Sequence, residues 1–167
     1  MCSRPVRRTR GDTAAIKYRP PEHLPMDDTT PPTRGPRDSP LEETVRARGH
    51  EHVRATHEST LEVTSDDYLT PAGDCIVAVA ADRTPVDFDS AFVAAYRDSD
   101  ATITATIEAG GQIGRVTGRG HPELSFDGAR SMVCRTSDYV DDRTVMVGAD
   151  WAATDLDRAL VAALAAG

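Results

Sequence analysis

Lysine is almost missing from this chain. Lys17 is the sole ammonium among 19 basic side chains, set against 27 acidic ones, for a formal charge of -8. So anionic a chain is excluded from the usual non-specific nucleic-acid binders, whose phosphate affinity comes from Arg and Lys. With acids and small residues abundant, the exchange of Lys for Arg is read either as a salt-adapted surface, on which carboxylates hold water and cations, or as the mark of a GC-rich genome. Cysteine is scarce too. Cys2, Cys75 and Cys134 are odd in number and widely spaced, which argues against a disulfide framework. The apolar neighbours of Cys75 and Cys134 predict thiols packed as small hydrophobes. Long apolar runs are absent: residues 75–81 and 159–166 are the longest, far below the roughly 18 to 20 residues needed to span a bilayer. No basic stretch leads into an apolar one as an export signal would. The expected setting is the cytoplasm, without a membrane partner.

What is present fits one domain with spare length, in 167 residues. Residues 1–41 hold eight of the eleven prolines and show no apolar periodicity, so they are expected to be a disordered Pro/Arg-rich arm ahead of a single domain over 42–167. The arm has eight basic and five acidic residues (+3), leaving eleven basic and twenty-two acidic (-11) for the domain. Any nucleic-acid contact is therefore expected only through the arm, at Arg4, Arg7, Arg8 and Arg10.

From Thr44 the pattern is mostly of period two. Val45, Ala47 and Gly49 alternate with polar residues, a second extended run follows through Val53, Ala55 and His57, and Leu61 and Val63 share one face of a third. The run from Cys75 to Ala80 reads as a central strand after the turn at Pro71-Ala72-Gly73. A helix is predicted over Asp87 to Tyr96, and a hairpin over Thr102 to Thr117 around Gly110-Gly111. Further strands are predicted at Leu124 to Phe126, Met132 to Arg135 and Thr144 to Gly148. Thr154 with Asp157 resembles the capping box of a terminal helix striped by Leu156, Leu160 and Leu164. No repeat period emerges. The expected fold is mainly β, an antiparallel sandwich or jelly-roll-like barrel with two flanking helices.

Histidines supply the candidate reaction centre. His50 and His52 share a face if extended, a spacing by which metal-binding jelly rolls present two imidazoles to one ion. The remaining ligands do not match: Glu58 lies six residues past His52 rather than four or five, and only His121 could serve as the later histidine. Histidines hydrogen-bonded at strand ends are the competing expectation, so no residue is assigned to a metal and no cofactor is identified. Asp74 follows a turn, where it either closes that turn or orients a histidine, while Gly118-Arg119-Gly120-His121-Pro122 bends so as to present His121. Arg135, Ser137 and Arg143 make a candidate anion site, with Asp138, Asp141 and Asp142 as competing ion-pair partners.

At these residues the sequence resembles a known family. Gly49-His50-Glu51 through Ala55-Thr56-His57, then Thr60 to Thr64, Leu69-Thr70-Pro71, Gly73-Asp74-Cys75-Ile76, Gly120-His121-Pro122-Glu123-Leu124, Asp142-Arg143-Thr144 and Ala149-Asp150 follow in order the pattern of the archaeal domain of unknown function 371. The resemblance implies an archaeal cytoplasmic protein with a jelly-roll-like β fold and no established reaction. It implies as one site the matching polar positions His50, His57, Glu62, Asp74, His121, Arg135 and Arg143. The chain departs from the pattern at His52, where the family has Asn, and at Ser65 and Thr136, where it has Lys.

Two functions follow as expectations. In the first, the domain binds a small molecule or anion and has hydrolase-like or metal-assisted chemistry as its enzymatic form. His57 or His121 is then acid or base, Asp74 the orienting group, and His50, Glu62, Arg135 and Arg143 hold the ligand. The second is a non-catalytic interaction module recruiting a protein or RNA.

Overall fold

A computed structural model of the chain describes residues 13–19 and 41–167. In order, the elements are β1 (Thr13–Arg19), β2 (Glu43–Arg48), β3 (Thr60–Thr64), β4 (Ile76–Ala78), α1 (Ser90–Tyr96), β5 (Thr102–Ala109), β6 (Gln112–Arg119), β7 (Ser131–Arg135), β8 (Thr144–Met146) and α2 (Arg158–Ala166). One turn of 3-10 helix precedes each α-helix, at Pro85–Asp87 and Ala153–Asp155.

The strands form two four-stranded sheets, ordered β2-β1-β5-β6 and β4-β3-β7-β8. Period-two alternation builds their inner faces. Along β5, for example, Ile103, Ala105, Ile107 and Ala109 are buried and the threonines between them are not. These residues join Leu61, Val63, Met132 and Cys134 of the other sheet, and Phe92, Leu160 and Leu164 of the helices, in one core. The β5–β6 hairpin turns on Gly110 and Gly111, both at positive φ, as a two-residue turn requires.

The molecule is thus mainly β with two helices, as predicted, but finer expectations fail. The pairing is not all antiparallel, because β3–β4 and β7–β8 are parallel; the chain leaves β3 and β7 by crossing loops rather than by hairpins. The sheets do not close into a barrel. At each seam a single bridge stands where a ladder would be needed, Arg48 to Val79 and Arg119 to Val147. The sequence places no element before Thr44, yet β1 is bonded on both sides, to β2 and β5. Two waiting strand edges decide its conformation where local pattern does not. The rest of the Pro/Arg-rich arm lies outside the described residues. Stretches read as extended at Val53 to His57 and Leu124 to Phe126 are loops, bent by left-handed Ala55 (φ 48) and Phe126 (φ 53). The helices begin three or four residues later than the sequence suggests, because Asp89 and Asp157 are the N-caps, accepting from Ala91 and Ala159 N–H at 2.8 and 2.7 Å.

Contrary to the sequence reading, the fold is built twice. The segment Ile76 to Tyr96 recurs at Thr144 to Leu164 with ten of twenty-one residues identical, and its bonding recurs with it. Asp82 takes the N–H of Arg46 where Asp150 takes that of Thr117. Asp87 accepts from Thr84 N–H where Asp155 accepts from Ala152. Upstream, Arg48-Gly49-His50 recurs as Arg119-Gly120-His121. Both glycines are required by close approach: a Cβ on Gly49 would stand 1.9 Å from the Leu164 carbonyl oxygen, and one on Gly120 2.3 Å from that of Tyr96. The halves are related by a pseudo-twofold axis where equivalent strands cross. Glu62 faces Val133 there, and Leu61 and Val63 face Cys134 and Met132. The loop after β3 (residues 65–75) is three residues longer than that after β7 (136–143), so no constant period exists for a sequence scan to find.

Candidate ligand-binding site

Side chains at 60, 62, 133 and 135 point away from the core side of β3 and β7, opposite to Leu61, Val63, Met132 and Cys134. Glu62 lies at the pseudo-axis on this face, flanked by Cys75, just before β4, and Arg143, just before β8. These two occupy equivalent positions, each backbone carbonyl taking an N–H from the axial residue (Glu62 to Cys75, 2.9 Å; Val133 to Arg143, 2.8 Å).

The polar groups form one connected chain. His57 Nδ1 lies 3.0 Å from Thr60 Oγ1. The Thr60 hydroxyl also favours the thiolate of Cys75, whose Sγ–H donates to Glu62 Oε2 at 3.4 Å. Glu62 Oε1 stands 3.9 Å from Arg143 Nη1, and Arg143 Nη2 donates to Asp141 Oδ2 at 3.1 Å. The same oxygen accepts from Arg135 Nη2 at 2.8 Å. Arg135 Nε donates to Thr144 Oγ1 at 2.9 Å, and its guanidinium stacks 4.8 Å above the Tyr139 ring. Thr144, fully buried, donates on to Asp141 Oδ1.

Charge sets the protonation states. Burial pushes the Asp141 carboxyl up, but hydrogen bonds from Arg143, Thr144 and the Arg143 N–H, with the charge of Arg135, outweigh it and hold the group at about 2. Arg143 is destabilised by burial yet raised on balance by Asp141 and Glu62. Burial first, and then the negative charge of Glu62, raise the Cys75 thiol to about 11, so it is a neutral donor rather than a nucleophile. Burial alone takes Cys134 to about 12.

The structure divides the seven residues singled out by sequence. His57, Glu62, Arg135 and Arg143 are joined in this chain of contacts. Asp74 is adjacent, but it is its carbonyl, not its carboxylate, that holds His57, accepting the backbone N–H at 3.3 Å. His50 and His121 lie elsewhere, at equivalent corners. His50 N–H donates to Leu164 at the end of α2, and His121 N–H to Tyr96 at the end of α1. Each ring is a local cap, His50 Nδ1 accepting from His52 N–H at 3.1 Å and His121 Nδ1 from Glu123 N–H at 3.0 Å. Among the described residues no hydrogen bond joins His121 to His57 or Asp74. His50 lines a recess of about 300 Å³ beside Arg48, Glu51 and Asp67. Its ring is 5.2 Å from that of His52, but a metal bound at Nε2 would move the proton to Nδ1 and break the cap. Among the described residues no group of three His, Cys, Asp or Glu is arranged to hold a metal ion.

Sequence reasoning missed the linking groups Thr60, Cys75 and Thr144, and took Asp141 only for a surface competitor. Its position two residues before Arg143 was the available signal. The internal repeat supplies a stronger one. The corner histidines are the same in both halves, whereas His57, Glu62, Arg135 and Arg143 stand opposite Gly128, Val133, Thr64 and Cys75. Another charged departure, the Glu43–Arg83 pair, is fully engaged within the fold, since the buried Glu43 also accepts the Asp89 N–H at the start of α1. Among the described residues no helix is long and apolar enough to cross a membrane.

In comparison with known proteins, residues 45–167 match the family described as Domain of unknown function (DUF371). An uncharacterized protein of Methanocaldococcus jannaschii is 39% identical over 127 residues, which are 76% of this chain and 93% of that protein.

Proposed function

The chain belongs to the DUF371 family, and from that premise we propose that it is a ligand-binding domain holding a small molecule by an anionic group at Arg143. Neither the family's description nor the relative's carries an activity, so chemistry and geometry must support the reading. One observation carries it: the polar side chains by which the two halves differ around the pseudo-axis are linked across a single face. Within that cluster Asp141 fixes one side of the Arg143 guanidinium, while among the described residues Nη1 has only the long contact to Glu62, and the side chain is 43% exposed. A positioned, half-free guanidinium is suited to carboxylate or phosphate. His57 acts here as a donor, because Nδ1 accepts the N–H groups of Ser59 and Thr60 and the ring proton is left on Nε2.

Melting temperature should be followed across a panel of small carboxylates, phosphate esters and zwitterions. At least one class raises it in the wild type, and the rise disappears in Arg143→Ala. A panel without effect, or a rise that survives the substitution, overturns the reading.

The interaction-module alternative has its own support. Tyr68 and Tyr139 are equivalent, each follows an aspartate, and they are 57% and 60% exposed, a composition suited to a protein interface. Co-elution with a partner that is lost in Tyr68→Ser/Tyr139→Ser would favour it. We further read the two sheets as a face-to-face sandwich, because one core joins them, and the acidic, lysine-poor composition as that of a salt-adapted archaeal cytoplasmic protein.

A further inference from the structure

We propose that the ligand is zwitterionic, an α-amino acid or a molecule ending in that group, with its carboxylate on Arg143 and its ammonium on Glu62, one per chain. This rests on the binding reading above and names the ligand class. Arg143 Nη1 and Glu62 Oε1 are 3.9 Å apart, well beyond the roughly 2.7–2.9 Å of a direct charge-assisted hydrogen bond. Neither atom has another partner among the described residues. The two are therefore a long ion pair without a direct hydrogen bond, a site edged by one cation and one anion that each keep hydrogen-bonding capacity.

The balance of charge selects what fills it. Glu62 and Asp141 are carboxylates, Arg135 and Arg143 are guanidiniums, and Cys75 is a neutral thiol, so these groups sum to zero, while Asp74 and Asp142 beside them add negative charge. A bare anion would add one negative charge beside two carboxylates, on a chain whose formal charge is already -8. A zwitterion leaves the sum unchanged. Carried on one carbon, its two charges lie side by side and run opposite to the Glu62–Arg143 pair, so that each charge meets its complement.

The stoichiometry comes from the repeat. Across the axis, the positions equivalent to Glu62 and Arg143 are Val133 and Cys75, which offer neither charge. The second half therefore lacks a site of this kind.

Calorimetric titration of the full chain with the standard α-amino acids, each paired with the carboxylic acid lacking the amino group, tests this directly. At least one amino acid is expected to bind with one site per chain, at least about tenfold more tightly than its partner acid. Glu62→Gln should remove that preference while the carboxylic acid still binds. Equal affinity of acid and amino acid, or an ammonium preference that survives Glu62→Gln, overturns the zwitterion assignment and leaves binding at Arg143 standing. If neither class binds, the zwitterion assignment fails, and the binding reading fails with it when the phosphate esters of the panel do not bind either.

Discussion

Asp141 accepts from both guanidiniums and from the Thr144 hydroxyl, so its ionisation controls the cluster. Its carboxyl is held at about 2, below the ordinary 3.8, and a depressed carboxyl stabilises the fold above its unfolded value. That contribution is lost as pH falls from near 4 through about 2. Asp141→Asn is expected to cost roughly 1–2 kcal/mol at neutral pH, discounted for partial exposure, and nothing at the acid end of this window. Urea denaturation at several pH values checks both. At Cys75 the sign is opposite, since a raised thiol favours the fold below its ordinary value. Alkylation of Cys75, followed by peptide mass mapping, should be slow near pH 9 and accelerate as pH approaches 11. The arginines of this cluster were legible from spacing alone. Their clamp was not, because an Asp close to an Arg in sequence reads equally well as solvent-exposed pairing until burial is known.

Among the elements, strands were legible where alternation coincides with burial, as along β5 and β6. Reading failed at the first Arg-Gly-His corner, where the period-two pattern runs on past Arg48 into a loop folded against a helix end, as the second corner is too. Burial there comes from a glycine pressed on a helix carbonyl rather than from a pleat. Gly120→Ala should therefore destabilise by roughly 2–3 kcal/mol, because its Cβ would meet backbone oxygens of Tyr96 and Asp98 at 2.3 Å. At Gly111 no atom lies within 4 Å and only the positive φ resists, so Gly111→Ala should cost about 1 kcal/mol. Chemical denaturation of the two variants side by side separates collision from conformational strain.

Taken whole, the molecule is two copies of one unit, each leaning on the other's helix, and this could not be read from a chain whose copies are offset by loops of unequal length. Residues shared by the copies, such as the corner glycines and histidines and the capping aspartates, build the fold. Charged residues that differ at the axis build the proposed site. Replacing both partners of an ion pair by apolar residues is often neutral, whereas removing one is costly, and here the second half already shows which residues fit. The most direct measurement is therefore made on Glu62→Val/Arg143→Cys, which restores the twofold match at the axis. Melting temperature and calorimetric binding of the best ligand from the panel are read on one preparation. The account predicts melting within about 5 °C of the wild type and complete loss of binding. A variant that unfolds, or one that stays folded and still binds, would contradict it.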